Sequence, residues 1–262
     1  MKSTLKILFR FVTFTTLQFG LNIYRPLRFI QSLPKYVSNI LSFKKNYKGK
    51  FELLPCLHDW YEEGGNAKSE YFLQDLYIAR FIFDAKPINH LDIGSSVEGF
   101  VAHVASFRTI EVLDVRPITS VIPGVIFKTS DLSKPIDETL CESYDSVSCL
   151  HALEHFGLGR YGDPIDVNGH IKGIENMAKI LKPSGTFYLS VPIGIERVEF
   201  NANRVFDPVN IIEIARQFNL KLVRFGFIEN SIVKFYDQLI DIDFQRLSNI
   251  RYSLGIFIFE KE

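Results

Sequence analysis

Residues 88–99, Ile-Asn-His-Leu-Asp-Ile-Gly-Ser-Ser-Val-Glu-Gly, constrain the fold more than any other stretch of the chain. A short apolar run reaches Asp92, a glycine follows at 94, and two serines open an amphipathic segment from Val97 to Phe107. This reads as a buried strand, a tight turn and a helix start, the geometry in which backbone N–H groups face a polar or anionic ligand. Gly94 lets the turn bend and lets a ligand approach the main chain. Ser95 or Ser96 is placed to cap the helix, and Glu98 suits its positive first turn. A nucleoside-type cofactor is the first expectation.

Gly94-x-Ser96-x-x-Gly99 is a dinucleotide fingerprint with serine in place of its middle glycine. That glycine makes room for a pyrophosphate, so the pattern argues against an NAD(P)-binding oxidoreductase, which stays as the alternative. A second strand, Thr109–Asp114, ends in an acid placed to accept from both ribose hydroxyls, as either cofactor requires. Asp92, two residues before Gly94, resembles the Asp/Glu-x-Gly of class I S-adenosylmethionine-dependent methyltransferases. In that family the turn receives the amino-acid end of the cofactor. The resemblance therefore implies S-adenosyl-L-methionine at Asp92, Gly94, Ser95, Ser96 and Asp114. It also implies that Asp131, after a third strand at Val125–Lys128, bonds the adenine; the plainer alternative for Asp131 is a helix cap.

The remaining elements follow by periodicity. Residues 69–81 carry apolar positions at helical spacing, with Gln74 and Asp75 facing either a cofactor pocket or solvent. Tyr144–Leu150 is a fourth strand, Gly169–Leu181 a helix and Thr186–Val191 a fifth strand. Asp207-Pro208 starts another helix, and Leu220–Ile228 and Tyr252–Phe259 are the last strands. The alternation predicts an α/β fold with a doubly wound, mostly parallel, seven-stranded sheet of Rossmann-like methyltransferase type.

His151, Glu154 and His155 follow the fourth strand, at the sheet edge where open α/β folds bind ligands. A hydroxyl acceptor must lose its proton during methyl transfer, and a histidine with a pKa of about 6.5 can take it at neutral pH. His151 is the first choice as base and His155 the second. The H-x-x-E-H spacing also matches some zinc proteases, but a strand runs directly into it here. A metal completed by His170 or Asp163 is the alternative to a metal-free site, and the metal-free site is preferred. Tyr161 and Asp163 in the glycine-rich loop, with Glu199, Asn201 and Arg204 after the fifth strand, are candidate acceptor contacts. The Asn/Asp-Pro-Pro-aromatic signature of amino-methylating enzymes is absent after strand four, which favours an oxygen acceptor.

More narrowly, the chain resembles the DUF268 family. The likeness rests on Tyr71–Asp75, Gly99–Arg108, His151–Asp166, Val191–Gly194 and Glu199–Phe206.

Charge divides the chain. Residues 1–50 hold ten Lys/Arg and no Asp or Glu, whereas the remainder carries 20 basic and 30 acidic residues, a net of −10. The basic arm is also apolar, yet Arg10, Gln18 and Asn22 interrupt it too often for a membrane span, and it has no signal-peptide cleavage site. It reads as a helical extension over 1–50 ahead of a domain at 51–262, with residues 1–45 resting on an anionic membrane surface. No nucleic-acid module is recognisable. Cys56, Cys141 and Cys149 lack paired spacing, which fits a reduced, cytoplasmic setting at or near the inner membrane face. Together these readings predict an S-adenosylmethionine-dependent O-methyltransferase acting on a sugar or glycolipid-like acceptor. A non-catalytic, membrane-associated module on the same fold is a further alternative.

Overall fold

The computed structural model describes residues 12, 15, 16, 19, 20, 24–62, 64, 65 and 67–262. Most of the first half of the basic arm, including Lys2, Lys6 and Arg10, therefore lies outside the described residues. The chain divides into two compact units, Met1–Asn66 and Ala67–Glu262. The division falls later than residue 50 because the connector packs back on the helix before it. In the first unit, α1 (Tyr24–Asn46) sets Arg28 over the Tyr61 ring, Lys35 over Trp60 and Phe43 against Phe51. Among the described residues no helix is long and apolar enough to cross a membrane.

The second unit is built on an eight-stranded sheet, one strand more than expected. Its strands are β1 (His90–Ile93), β2 (Ile110–Asp114), β3 (Val125–Thr129), β4 (Tyr144–Leu150), β5 (Leu181–Ile193), β8 (Leu220–Glu229), β9 (Ile232–Tyr236) and β10 (Ser253–Lys261), in the order β3-β2-β1-β4-β5-β10-β8-β9. β1 to β5 run parallel, and β10 lies antiparallel between β5 and β8. The extra strand, β9, folds back on β8 through a tight turn in which Asn230 and Ser231 take positive φ. A separate two-stranded ribbon, β6 (Arg197–Glu199) with β7 (Asn203–Val205), follows β5.

Helices cover both faces. α2 (Glu70–Ala85) is capped by Ser69, whose hydroxyl accepts from the Phe72 N–H at 3.1 Å, and it buries Ile78, Ala79 and Ile82. α4 (Gly169–Ile180) and α5 (Pro208–Gln217) cover the other face with Ile174, Met177, Ile211 and Ala215. Asp207 caps α5, its carboxylate accepting from the Val209 N–H, and Pro208 opens the first turn. The segment after β1 is not a plain α-helix. It is a π turn, Val97–Val101, running into a short α3, Ala102–Ala105, with the Val101 N–H bonded to the Ser96 carbonyl five residues back.

β1 and β4 are neighbours, with Asp92 paired to Ser148, but their chains leave in opposite directions, β1 toward β2 and β4 toward β5. A crevice opens where the connections part, beyond the carboxyl ends of these strands.

Candidate active site

The floor of the crevice is the turn after β1. Gly94 has φ of +68°, and a Cβ there would meet the Ala152 side chain at 3.0 Å. Asp92 is fully buried below the turn. Its carboxylate accepts from the Ser95 N–H (3.1 Å), the Ser95 hydroxyl (2.6 Å) and the Ser148 hydroxyl (2.6 Å). The Ser95 oxygen in turn accepts from the Leu150 N–H at 3.1 Å, which ties the turn to the end of β4. Asp92 and Ser95 thus shape the turn; Ser95 and Ser96 both line the cleft, and Ser96 is exposed and makes no side-chain cap. Gln74 and Asp75 are buried, contrary to a solvated helix face. Gln74 bonds the Ser190 hydroxyl, and burial raises the Asp75 carboxyl to about 6.

Two adjoining cavities occupy the crevice. A small one of about 50 Å³ runs between Leu113, Leu132 and Phe156, and a larger cleft of about 470 Å³ reaches Tyr71, Ile118 and Arg160. Gly94, Asp114, Arg116, His151, His155 and Tyr161 line both. The larger cleft falls within the size range of small-molecule sites.

Asp114 ends β2 at this cleft, but its carboxylate is held by Arg116. The Arg116 Nε donates to Oδ1 at 3.0 Å, Nη2 to Oδ2 at 2.7 Å, and the Arg116 backbone N–H to Oδ1 at 2.8 Å. Asp131 lines the smaller cavity and accepts from the Ser133 N–H and hydroxyl while pairing with Lys134 at 3.1 Å. Burial pushes its carboxyl up, but these partners outweigh it and hold Asp131 below the ordinary range.

The cluster after β4 is tightly built. His151 leaves the strand with φ of +52°, a conformation uncommon for a residue with a Cβ. A short 3₁₀ turn, Leu153–His155, then brings Glu154 back beneath it. Glu154 Oε1 accepts from His151 Nδ1 at 2.8 Å and lies 3.7 Å from His155 Nε2. An ionised Glu154 can only accept, which assigns the His151 proton to Nδ1, so a neutral His151 carries its lone pair at Nε2. That Nε2 is buried without a hydrogen-bond partner, as is Glu154 Oε2. The Tyr71 ring stacks on His151 at 4.3 Å between centroids. His155 is oriented otherwise: its Nδ1 donates to the Ala202 carbonyl at 2.7 Å, and burial lowers its pKa against the opposing pull of Glu154. Among the described residues no group of three His, Cys, Asp or Glu side chains is arranged to hold a metal ion.

The other candidates divide. Tyr161 and Asp163 line the cavities, Asp163 shaping its loop by accepting from the N–H groups of Gly157 (2.9 Å), Gly159 (3.2 Å) and Tyr161 (3.2 Å). Glu199, Asn201 and Arg204 line neither cavity. Glu199 pairs with Arg197 at 3.0 Å, Asn201 is exposed on the ribbon, and Arg204 is buried. Its guanidinium donates to the carbonyls of Phe156 (2.6 Å), Asp166 and Val167 (both 3.4 Å). Arg204 therefore clamps the loop behind the site. Tyr71, Arg116 and Arg160 were not among the expected residues. Arg116 had a local signal in its position two residues after Asp114; the other two reach the cleft only through tertiary packing.

A family model described as Caenorhabditis protein of unknown function, DUF268, matches residues 126–250. The match spans the Gly157–Asp163 loop and the His151 cluster but not the turn at Gly94. No curated protein matches the sequence. Several solved structures share the fold. A protein from Galdieria sulphuraria assigned as a sarcosine dimethylglycine methyltransferase has a TM-score of 0.51 at 15% identity, covering 72% of this chain and 86% of that one. The N-methyltransferase NodS from Bradyrhizobium japonicum WM9, solved with S-adenosyl-L-homocysteine, has 0.50 at 16%, covering 77% and 91%. The [4+2]-cyclase SpnF has 0.52 at 11%, covering 76% and 85%. The Rossmann-like methyltransferase fold is common to all three.

Proposed function

We propose that this chain, whose residues 126–250 match the DUF268 model and whose fold is of class I methyltransferase type, is an S-adenosyl-L-methionine-dependent O-methyltransferase whose acceptor is a sugar or glycolipid-like molecule. One observation carries the reading. His151 is held in a left-handed conformation with Nδ1 on Glu154, its buried Nε2 has no hydrogen-bond partner, and the residue lines the crevice that begins at Gly94 and Asp114.

The residues present suit the cofactor. The Gly94–Ser96 turn would receive its amino-acid end, Asp114 its ribose and the pocket beside Asp131 its adenine. When bound, S-adenosyl-L-methionine supplies an electrophilic methyl group on sulfur. The chain's own work is then to align an acceptor hydroxyl and to take its proton. His151 Nε2 would take the hydroxyl proton as the acceptor oxygen receives the methyl group. Glu154 fixes the tautomer and stabilises the imidazolium so formed, in the manner of the carboxylate of a catalytic triad. Tyr71 holds the ring plane by stacking, worth roughly 0.5–1.5 kcal/mol.

The fold also hosts a cyclase, so turnover must be measured directly. Transfer of labelled methyl from S-adenosyl-L-methionine into a membrane glycan fraction should fall about 10²–10⁴-fold in His151→Asn. An undiminished rate in the variant would remove His151 as the base.

The same reading sets the enzyme at an anionic membrane surface on the cytoplasmic side. Supporting it, Leu27, Ile30, Val37 and Leu41 lie along one side of α1 and are all exposed, while Arg28 and Lys35 rest on Tyr61 and Trp60.

A further inference from the structure

Two guanidinium groups line the cleft, and they differ in what neutralises them. Arg116 is paired with Asp114. Arg160 has no carboxylate within ion-pair distance among the described residues. Its Nη1 donates to the Ala202 carbonyl at 2.8 Å and lies 3.3 Å from His155 Nδ1. The Tyr161 ring sits between both cations, 4.3 Å from Arg116 and 5.3 Å from Arg160, and meets His155 edge-on at 5.6 Å. Arg160 is thus fixed by a carbonyl and an aromatic ring, while the residue is exposed and lines the cleft with a five-donor guanidinium bonded only through Nη1 among the described residues. A planar cation pre-set in this way matches the oxygens of a carboxylate or phosphate. Its place relative to the base is also defined: Glu154 Oε1 links His151 (2.8 Å) to His155 (3.7 Å), and His155 touches Arg160. The cleft's other charge without a partner among the described residues, Glu98, belongs to the turn after β1, on the cofactor side.

We propose that the acceptor carries an acidic group, a carboxylate or a phosphate, which Arg160 binds against Tyr161 one imidazole away from His151. The proposal rests on the methyl-transfer reading of this cleft and adds the chemical class of the acceptor. Calorimetry with glucuronic acid, glucose 1-phosphate and glucose, with and without S-adenosyl-L-homocysteine, tests it and separates the two acids. At least one acid should bind about tenfold or more tightly than glucose, with an affinity that falls as salt is added. Arg160→Gln should lose that preference, Arg160→Lys should keep part of it, and S-adenosyl-L-homocysteine affinity should stay within about twofold in both. Equal binding of glucose and the acids, no binding of any of the three, or acid binding unchanged in Arg160→Gln would overturn the proposal. So would a tenfold loss of S-adenosyl-L-homocysteine affinity in Arg160→Gln, which would give Arg160 to the cofactor's carboxylate instead. Arg160-dependent acid binding in a protein that takes no S-adenosyl-L-homocysteine would support the acid site and remove the methyltransferase reading alone.

Discussion

Asp92 and His90 belong to one buried chain of hydrogen bonds beneath the glycine turn. His90 Nε2 lies 3.2 Å from the Ser148 hydroxyl, which donates to Asp92, and His90 Nδ1 lies 2.8 Å from the Ser146 hydroxyl. Burial raises the Asp92 carboxyl to about 7, against the pull of its serine donors, and lowers His90 to about 3. The two act on stability with opposite signs. Asp92 holds its proton more tightly in the folded state, so its contribution is complete below about pH 4 and is lost as pH rises toward 7. His90 contributes above about pH 6.5, and that contribution is lost as pH falls toward 3. Asp92→Asn removes only the first effect. The stability gap between wild type and Asp92→Asn, measured by urea unfolding, should shift against the wild type by on the order of a few kcal/mol between pH 4 and pH 8. A gap constant across that range would contradict the account. The spacing of Asp92 before Gly94 was legible in the sequence, because a turn after a buried strand has few solutions. Its burial was not, since the serine that holds it stands 56 positions away on β4. The same holds for Arg204: its polar neighbours suggested a ligand contact, and only the folded ribbon turns it onto the Phe156, Asp166 and Val167 carbonyls.

At the scale of elements, the loop after the His151 cluster owes its form to Gly157, whose φ is +73° and whose Cβ would fall 2.1 Å from the Asp166 carbonyl oxygen. Gly157→Ala should therefore open the loop, release Asp163 and cost about 1–3 kcal/mol in thermal unfolding, with cofactor affinity falling alongside. A variant with unchanged melting temperature and cofactor affinity would contradict this. The exposed stripe of α1 carries a second expectation. Ile30→Asp with Val37→Asp should weaken binding to phosphatidylserine vesicles about tenfold in a flotation assay, while neutral vesicles bind poorly throughout. Binding indifferent to both substitutions would set the membrane reading aside. The elements themselves were largely legible: Asp207-Pro208 marked the start of α5, and alternating apolar runs marked β1, β2, β4 and β8. β9 was not, because Ile-Val-Lys-Phe-Tyr becomes a strand only by pairing with β8 across the Asn230-Ser231 turn. The π turn at Val97–Val101 was equally hidden. Its apolar spacing reads as ordinary helix, whereas Gly99 packs where a Cβ would stand 2.2 Å from the buried Asp75 carboxylate.

For the molecule as a whole, the sheet order places one acid, one glycine turn and one oriented histidine around a single crevice. The account stands on that crevice holding S-adenosyl-L-methionine, a group that binds only the folded chain and therefore stabilises it in proportion to ln(1 + [L]/Kd). The most direct test is calorimetric titration of S-adenosyl-L-homocysteine into the full-length protein, beside Asp114→Ala and His151→Asn. The account predicts micromolar binding by wild type, at least about tenfold weaker binding by Asp114→Ala, and binding by His151→Asn close to that of wild type. Failure of wild type to bind S-adenosyl-L-homocysteine, or binding of NADH in its place, would contradict it.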